Sequence, residues 1–271
     1  MNKNQFKLVL SLVLFLVLFF TLSWLDLPLL NIFKSSNSEL NWTDLYQVLA
    51  LIGGIVGLIV SRSWGGYNSL IGRSIMFFSI GLFLQSLGQI IFSFYDLVLH
   101  VDVPYPSIAD IGFFGSVLAY IYGVILLFKA SGFKIYKKNI INHVFIYLTI
   151  ILFLFLSYFF LIKNHYFDWN NYLKLFLDLA YPVGQSIYVS ITFMVLFFSR
   201  NILGGVMKKP VLLLLVALIF QYLSDCIFLY QQNLGIWEVG GINDYFYCLS
   251  YALMTLALLY FGITFNKIKN S

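Results

Sequence analysis

The sequence predicts an all-α polytopic membrane protein with eight transmembrane helices, arranged as two parallel four-helix repeats. Three observations lead to this prediction. The 271 residues are 61% hydrophobic and only 10% charged, whereas soluble domains carry about 25% charged residues. The basic and acidic residues lie at opposite ends of the apolar segments. Two stretches of the chain also resemble each other at a nearly constant spacing.

Eight apolar segments are each long enough to cross a bilayer, which takes roughly 20 residues. They cover approximately residues 8–25, 44–61, 74–95, 106–128, 140–162, 173–198, 211–231 and 243–265. The first follows Lys3 and Lys7, as in a signal peptide. No small-residue cleavage motif follows Leu25, so we expect a retained helix. The loops are too short to fold as soluble domains, which predicts one integral membrane domain.

The distribution of charge predicts the orientation. The positive-inside rule places both termini in the cytoplasm. All of the 16 basic residues except Lys34, Lys163 and Lys174 then lie on the inner side, and all 11 acidic residues lie in outer loops or outer helix halves. The net charge of +5 therefore reflects topology. We predict a multi-pass protein of the cell membrane, in contact with membrane lipids and without a nucleic-acid partner.

An internal repeat supports the count of eight. Residues 61–66 (SRSWGG) resemble residues 199–205 (SRNILGG). Three pairs of matching residues keep a spacing of 134 to 138 residues: Arg62 with Arg200, Gln89 with Asp225, and Asp110 with Asp244. We therefore predict residues 1–138 as the first four-helix repeat and 139–271 as the second. An even number of helices in each repeat makes the two parallel.

An acidic loop enters the fourth predicted helix at residues 103–110 (VPYPSIAD). Pro106 falls where the first turn of a helix tolerates proline. Ser107 is a typical capping residue, and the dipole of the helix favours the carboxylate of Asp110 near its N-terminus. Residues 241–247 (GINDYFY) repeat this pattern around Asp244. We expect both aspartates to cap their helices beneath an outer lid.

Other polar residues lie deeper in the predicted helices. Asp178, Tyr181, Gln185 and Tyr188 share one face of the sixth helix, and Asp225 lies about 9 Å from the end of the seventh. Carboxylates within a membrane are candidate functional residues. Polar side chains can instead hold helices together by forming hydrogen bonds between them. Both interpretations stay open for the candidate ligand-binding residues, which are Asp178, Tyr181, Gln185, Tyr222, Asp225, Gln89, Asp110, Asp244 and Tyr247.

The sequence predicts no metal ion and no cofactor. Cys226 and Cys248 lie in apolar segments and suit neither a disulfide framework nor a zinc site. His100 and His165 lie in outer loops, where a metal site would need residues from several loops to converge. The chain has no phosphate-binding loop, nucleophile elbow or HExxH motif, so a catalytic residue stays unknown.

Three motifs resemble those of a prokaryotic multi-spanning membrane sensor module: residues 104–110, residues 178–182 (DLAYP), and the pattern Asp225…Gly241…Asp244. That family precedes diguanylate cyclase or histidine kinase output domains, so the resemblance implies a sensor. Gln89 stands where the family often has an aspartate. The 271 residues include no output domain. Three explanations stay open: a stand-alone receptor that signals through a cytoplasmic partner, a different use of the same bundle, or a piece of a longer protein.

The leading hypothesis is a sensor or accessory module with an acidic pocket in the outer half of the bundle. The pocket would bind a small ligand or a lipid headgroup, and the signal would pass to a partner at the inner basic loops, especially residues 129–138. The alternative is a membrane-embedded lipid hydrolase of the lysoplasmalogenase type, with Asp178 and Asp225 as paired acid and base. The third hypothesis is a transporter. The oligomeric state stays open.

Overall fold

The computed structural model describes residues 3–25, 41–101, 103–130, 140–163, 165, 167–198 and 207–270. This part of the chain is helical and contains no strand. Its α-helices are α1 (Lys3–Trp24), α2 (Gln47–Ser63), α3 (Leu70–Leu97), α4 (Ala109–Ala130), α5 (Ile140–Ser157), α6 (Tyr172–Phe198), α7 (Lys208–Leu234) and α8 (Ile242–Asn270). The all-α prediction is confirmed.

Seven of these helices are long and apolar enough to cross a membrane, namely α1 to α4 and α6 to α8. The protein is therefore of the multi-pass membrane type. The apolar stretch of α5 is shorter, at Val144–Ser157. A π-helix at Tyr158–Ile162 extends α5 directly. The eighth transmembrane span stays a prediction.

The turn between α2 and α3 shows how a repeated motif acts locally. Gly65 and Gly66 have φ values of 89° and 54°, which glycine adopts without the clash of a Cβ atom. Ser69 then caps α3, because its Oγ accepts a 2.8 Å hydrogen bond from the Gly72 amide. The SRSWGG motif thus builds a tight helix-to-helix turn. Its predicted counterpart at 199–205 lies outside the described residues.

Six helices close into a ring, with contacts in the order α2, α3, α4, α6, α7, α8 and back to α2. Helix α1 packs on α8, and α5 packs on α6. The α3–α4 contact is close enough to need glycine. A Cβ atom on Gly112 would lie 2.5 Å from the Leu84 carbonyl oxygen and 2.6 Å from the Gly88 nitrogen. Within the ring, polar residues of α3, α4, α6, α7 and α8 face a common interior.

The ring separates the charges into two ends. The bundle has an acidic end, where α2, α4, α6 and α8 begin. The described acidic residues lie at this end or, in the case of Asp225, in the half of the bundle next to it: Asp44, Asp96, Asp110, Asp168, Asp178, Asp225, Glu238 and Asp244. The opposite, basic end holds Lys7, Arg62, Arg73, Lys129, Lys208, Lys209, Lys267 and Lys269. Lys163 and Lys174 are the described lysines at the acidic end. His143 lies in α5, but its side chain is outside the described part of the structure.

Candidate functional site

A cluster of polar side chains occupies the interior of the ring, in its middle and toward the acidic end. We call it the central polar cluster, and it comprises Gln85, Gln89, Tyr120, Tyr188, Asp225, Tyr247 and Tyr251. Helix geometry turns these residues inward. Gln89 and Asp225 each lie two positions, or about 200° of rotation, from the exposed residues Leu87 and Leu223. The cluster thus faces away from the lipid side of its helices.

Asp225 is the carboxylate of the cluster, and neutral groups hold it. The Tyr247 hydroxyl donates a 2.6 Å hydrogen bond to Asp225 Oδ1. The Tyr188 hydroxyl and the Gln221 amide approach the carboxylate at 3.5 Å. No basic side chain among the described residues forms an ion pair with it. A charged residue in a membrane core costs about 2.5 to 3.5 kcal/mol. Asp225 is therefore the candidate charged residue of the ring interior.

Three members of the cluster keep some accessible surface. Gln89, Asp225 and Tyr247 are only half-buried, whereas Tyr120 and Tyr188 are fully buried. Because Gln89 and Asp225 point away from the exposed faces of their helices, their accessible atoms indicate a space between the helices of the ring.

A chain of hydrogen bonds connects the cluster across α3, α4 and α8. The Tyr251 hydroxyl donates to Gln85 Oε1 at 3.0 Å, and Gln85 Nε2 donates to the Ser116 hydroxyl at 2.7 Å. Gln89 Nε2 donates to the Tyr46 hydroxyl. The Tyr46 ring stacks on Tyr251 with centroids 5.8 Å apart. These bonds fix the orientation of the side chains that border the interior space.

A second group of residues connects α6 to the loop that enters α4, and we call it the clasp. The Tyr105 hydroxyl donates to Asp178 Oδ1 at 2.8 Å, and the Tyr181 hydroxyl donates to Asp110 Oδ1 at 2.9 Å. His165 Nε2 lies 2.9 Å from Asp178 Oδ2, and the Asp178 side chain is only 3% exposed. Burial and the hydrogen bond to Asp178 raise the pKa of Tyr105 above its usual range. Tyr105 therefore stays a donor at neutral pH.

Asp110 and Asp244 hold the loops at the start of α4 and α8. Asp110 Oδ2 accepts a 2.7 Å hydrogen bond from the Ser107 amide, and Asp244 Oδ2 accepts one of 2.7 Å from the Gly240 amide. Each carboxylate lies in the first turn of its helix, where the helix dipole favours negative charge. Asp110 also belongs to the clasp, whereas Asp244 is buried and acts as a cap.

The nine predicted site residues fall into separate places. Those in the central polar cluster are Gln89, Asp225 and Tyr247, those in the clasp are Asp110, Asp178 and Tyr181, and Asp244 is a cap. Gln185 lies on α6 between the two groups. Tyr222 lies toward α5, with its hydroxyl 3.4 Å from that of Ser157.

Asp178 and Asp225 belong to different layers of the bundle. Ten residues of α6 separate Asp178 from Tyr188, which approaches Asp225, and this corresponds to about 15 Å along the helix axis. Asp178 is bound by Tyr105 and Asp225 by Tyr247. The two carboxylates therefore have separate partners.

Sequence reasoning missed Gln221 and Tyr120. Gln221 lies one turn before Asp225 and 136 residues after Gln85, so applying the repeat spacing to every polar residue of the third helix would have found it. Tyr120 stands among apolar residues of α4, where it is indistinguishable from a packing residue. Its position opposite Tyr188, with ring centroids 6.3 Å apart, depends on the α4–α6 contact.

The described residues contain no group of three or more His, Cys, Asp or Glu side chains that could hold a metal ion. Cys226 and Cys248 are free thiols. The site therefore consists of carboxylates, amides and tyrosine hydroxyls. Comparisons with models of protein families, with curated proteins and with solved structures found no match, so the functional argument depends on this geometry.

Proposed function

We propose that this chain is an integral membrane sensor or accessory module that binds a small ligand or a lipid headgroup inside the helix ring. One observation carries the proposal: Gln89, Asp225 and Tyr247 keep accessible surface although they face the ring interior. A carboxylate without a basic partner and an adjoining space are typical of a binding site rather than of simple helix packing. The resemblance to the sensor-module family agrees with this function.

The proposed topology has eight spans, both termini in the cytoplasm and the acidic end outside. The separation of basic from acidic residues supports the orientation through the positive-inside rule. Helix α5 and the π-helix that follows it cover residues 140–162, which is enough for the eighth span. The ligand would then enter the ring from outside the cell.

The proposed two-repeat organisation has support from equivalent contacts. Gln85 pairs with Ser116 between α3 and α4, and Ser250 donates to Gln221 at 3.1 Å between α7 and α8. The glutamines are 136 residues apart and the serines 134. These spacings equal those of the motifs that predicted the repeats at 1–138 and 139–271. In this organisation, the α4–α6 and α2–α8 contacts of the ring would be the two junctions between the repeats.

Signal transmission would run from the ring interior to the basic end. We propose that ligand binding shifts α6 and α8, which carry Tyr188 and Tyr247, against their neighbours. Residues 129–138 would pass this shift to a cytoplasmic partner. Of this loop, only Lys129 and Ala130 belong to the described residues. Its basic side chains also suit contact with anionic lipids.

The geometry gives less support to the hydrolase and the transporter. A hydrolase with paired acids needs Asp178 and Asp225 to share a substrate or a water molecule, over roughly 5 to 9.5 Å. The separate partners of the two carboxylates and the intervening length of α6 do not favour this. A transporter needs a polar path to the basic end, whereas Tyr120, Tyr188 and Tyr251 are fully buried in the middle of the bundle.

The test uses the full chain in lipid nanodiscs, with thermal unfolding followed in the presence of cationic, neutral and anionic small molecules and lipid headgroups. We expect at least one class to raise the apparent Tm, because a ligand at 100 times its Kd stabilises by about 2.7 kcal/mol. The same ligand should change hydrogen exchange at residues 129–138. A lysophospholipid incubation, followed by mass spectrometry, distinguishes the hydrolase. Turnover lost in Asp178→Asn and Asp225→Asn would contradict the sensor.

A further inference from the structure

The interior of the ring contains a hydrogen-bond acceptor to which no described group donates. Gln185 is 3% exposed, and its Oε1 accepts no hydrogen bond from any described group. Gln185 lies four residues after Tyr181 and three before Tyr188 on α6, so the three side chains share one face. The Tyr181 hydroxyl binds Asp110 of α4, and the Tyr188 hydroxyl approaches Asp225 of α7. The unpaired carbonyl oxygen therefore belongs to the same face of α6 as Tyr188, which approaches Asp225.

Aromatic rings surround this acceptor site. Tyr120 is fully buried, its hydroxyl has no partner among the described atoms, and it lies within electrostatic reach of Asp225. Its ring is 6.3 Å from that of Tyr188, and the rings of Tyr247 and Tyr251 are also 6.3 Å apart. The faces of aromatic rings attract cations. The site thus combines a carboxylate, a free carbonyl oxygen and several ring faces.

We propose that the central polar cluster binds a primary organic ammonium ion between Asp225 and Gln185. This inference rests on the proposed function and specifies the chemical class of its ligand. An ammonium group offers three N–H donors and no acceptor, which matches two unsaturated acceptors. Its charge compensates Asp225, for which the described chain provides no cation. Its alkyl part would contact the tyrosine rings.

The same features argue against other ligand classes. A phosphate or carboxylate ligand would face Asp225 without a basic side chain to bind it, so like charges would repel. A neutral ligand would leave Asp225 uncompensated. An inorganic monovalent cation would satisfy the charge but has no alkyl part to pack against the tyrosine rings. The ammonium ion is therefore the class that the residues fit best.

The test titrates the full chain in zwitterionic nanodiscs with n-butylammonium by isothermal calorimetry, at constant ionic strength. We expect saturable binding to the unsubstituted chain. Asp225→Asn should weaken the affinity at least tenfold, and Gln185→Met several-fold because it removes the carbonyl oxygen at similar volume. Asp178→Asn is the matched control, since it removes a membrane carboxylate of the clasp, and it should leave the Kd within about twofold.

Each other outcome is decisive. Equal heats and Tm shifts from sodium or potassium chloride would mean an inorganic cation site and would overturn the proposal. Binding that survives both Asp225→Asn and Gln185→Met would also overturn it. If only neutral or anionic compounds bind, the ammonium assignment fails while the ligand-binding function stands; if no class binds, both fail. If Asp225→Asn does not fold, as judged by circular dichroism, the affinities of Gln185→Met and Tyr247→Phe test the proposal. Unchanged affinity in both variants would overturn it.

Discussion

The hydroxyl of Tyr181 in α6 donates a 2.9 Å hydrogen bond to the carboxylate of Asp110 in the first turn of α4. Tyr105, which precedes α4, returns a 2.8 Å bond to Asp178 of α6. The two bonds run in opposite directions between the same two segments. They therefore fix both the distance between α4 and α6 and the path of the loop that covers their ends.

Tyr181→Phe should lower the apparent Tm of the purified protein. The substitution keeps the ring, which packs 5.4 Å from Phe114, and removes only the hydrogen bond to Asp110. We expect a loss of about 1 kcal/mol. Tyr172→Phe is the control, because Tyr172 is 82% exposed and should leave the Tm unchanged. Equal Tm values for the two variants would contradict a stabilising clasp.

Tyr105→Phe should loosen the loop at residues 103–108. Without the bond to Asp178, the amides of this loop should exchange with deuterium several-fold faster, measured by mass spectrometry on peptides from the clasp. The residues near Tyr247 should be unaffected, because the central polar cluster does not contact Tyr105. Tyr122→Phe, a half-exposed tyrosine of α4, serves as the comparison. Unchanged exchange in residues 103–108 would show that Tyr105 does not hold the loop.

Gly112→Ala should destabilise the ring far more than Gly115→Ala. The new methyl group at position 112 meets the backbone of α3 at 2.5 Å, whereas at position 115 it meets the Leu84 side chain at 3.3 Å. Backbone atoms cannot move aside without separating the helices, so we expect a cost of about 1 to 3 kcal/mol for Gly112→Ala. Thermal unfolding of the two variants provides the measurement. A similar Tm for both would contradict the close α3–α4 contact.

Labelling of introduced cysteines should reveal opposite sides for the two ends of the bundle. In a background with Cys226 and Cys248 replaced by alanine, Trp169→Cys should react with a membrane-impermeant maleimide in intact cells. Trp169 is 71% exposed at the acidic end. Lys269→Cys, exposed at the basic end, should react only after permeabilisation. The reverse pattern would overturn the proposed orientation.

The sixth helix shows which features of the site could be predicted from the sequence. Its spacing predicted that Asp178, Tyr181, Gln185 and Tyr188 share a face, and in the structure Tyr181 and Tyr188 both contact neighbouring helices of the ring. The sequence did not reveal that Tyr181 binds Asp110 while Tyr188 approaches Asp225. Those partners depend on the depth and rotation of α4 and α7 beside α6. The periodicity of a sequence describes one helix at a time, so it does not give the depth or the rotation of a neighbouring helix.

The sequence by itself determined that the chain is helical and apolar, which residues lie near each end, and which side of each helix is polar. Hydrophobicity and the 3.6-residue period decide these properties locally. The tertiary structure alone decided that six helices form a ring, that Tyr222 faces α5, and that Asp178 and Asp225 belong to separate layers. The physical reason is that the association of helices in a membrane depends on close packing at individual small residues, such as Gly112 against α3. Such contacts have no periodic signature in the sequence.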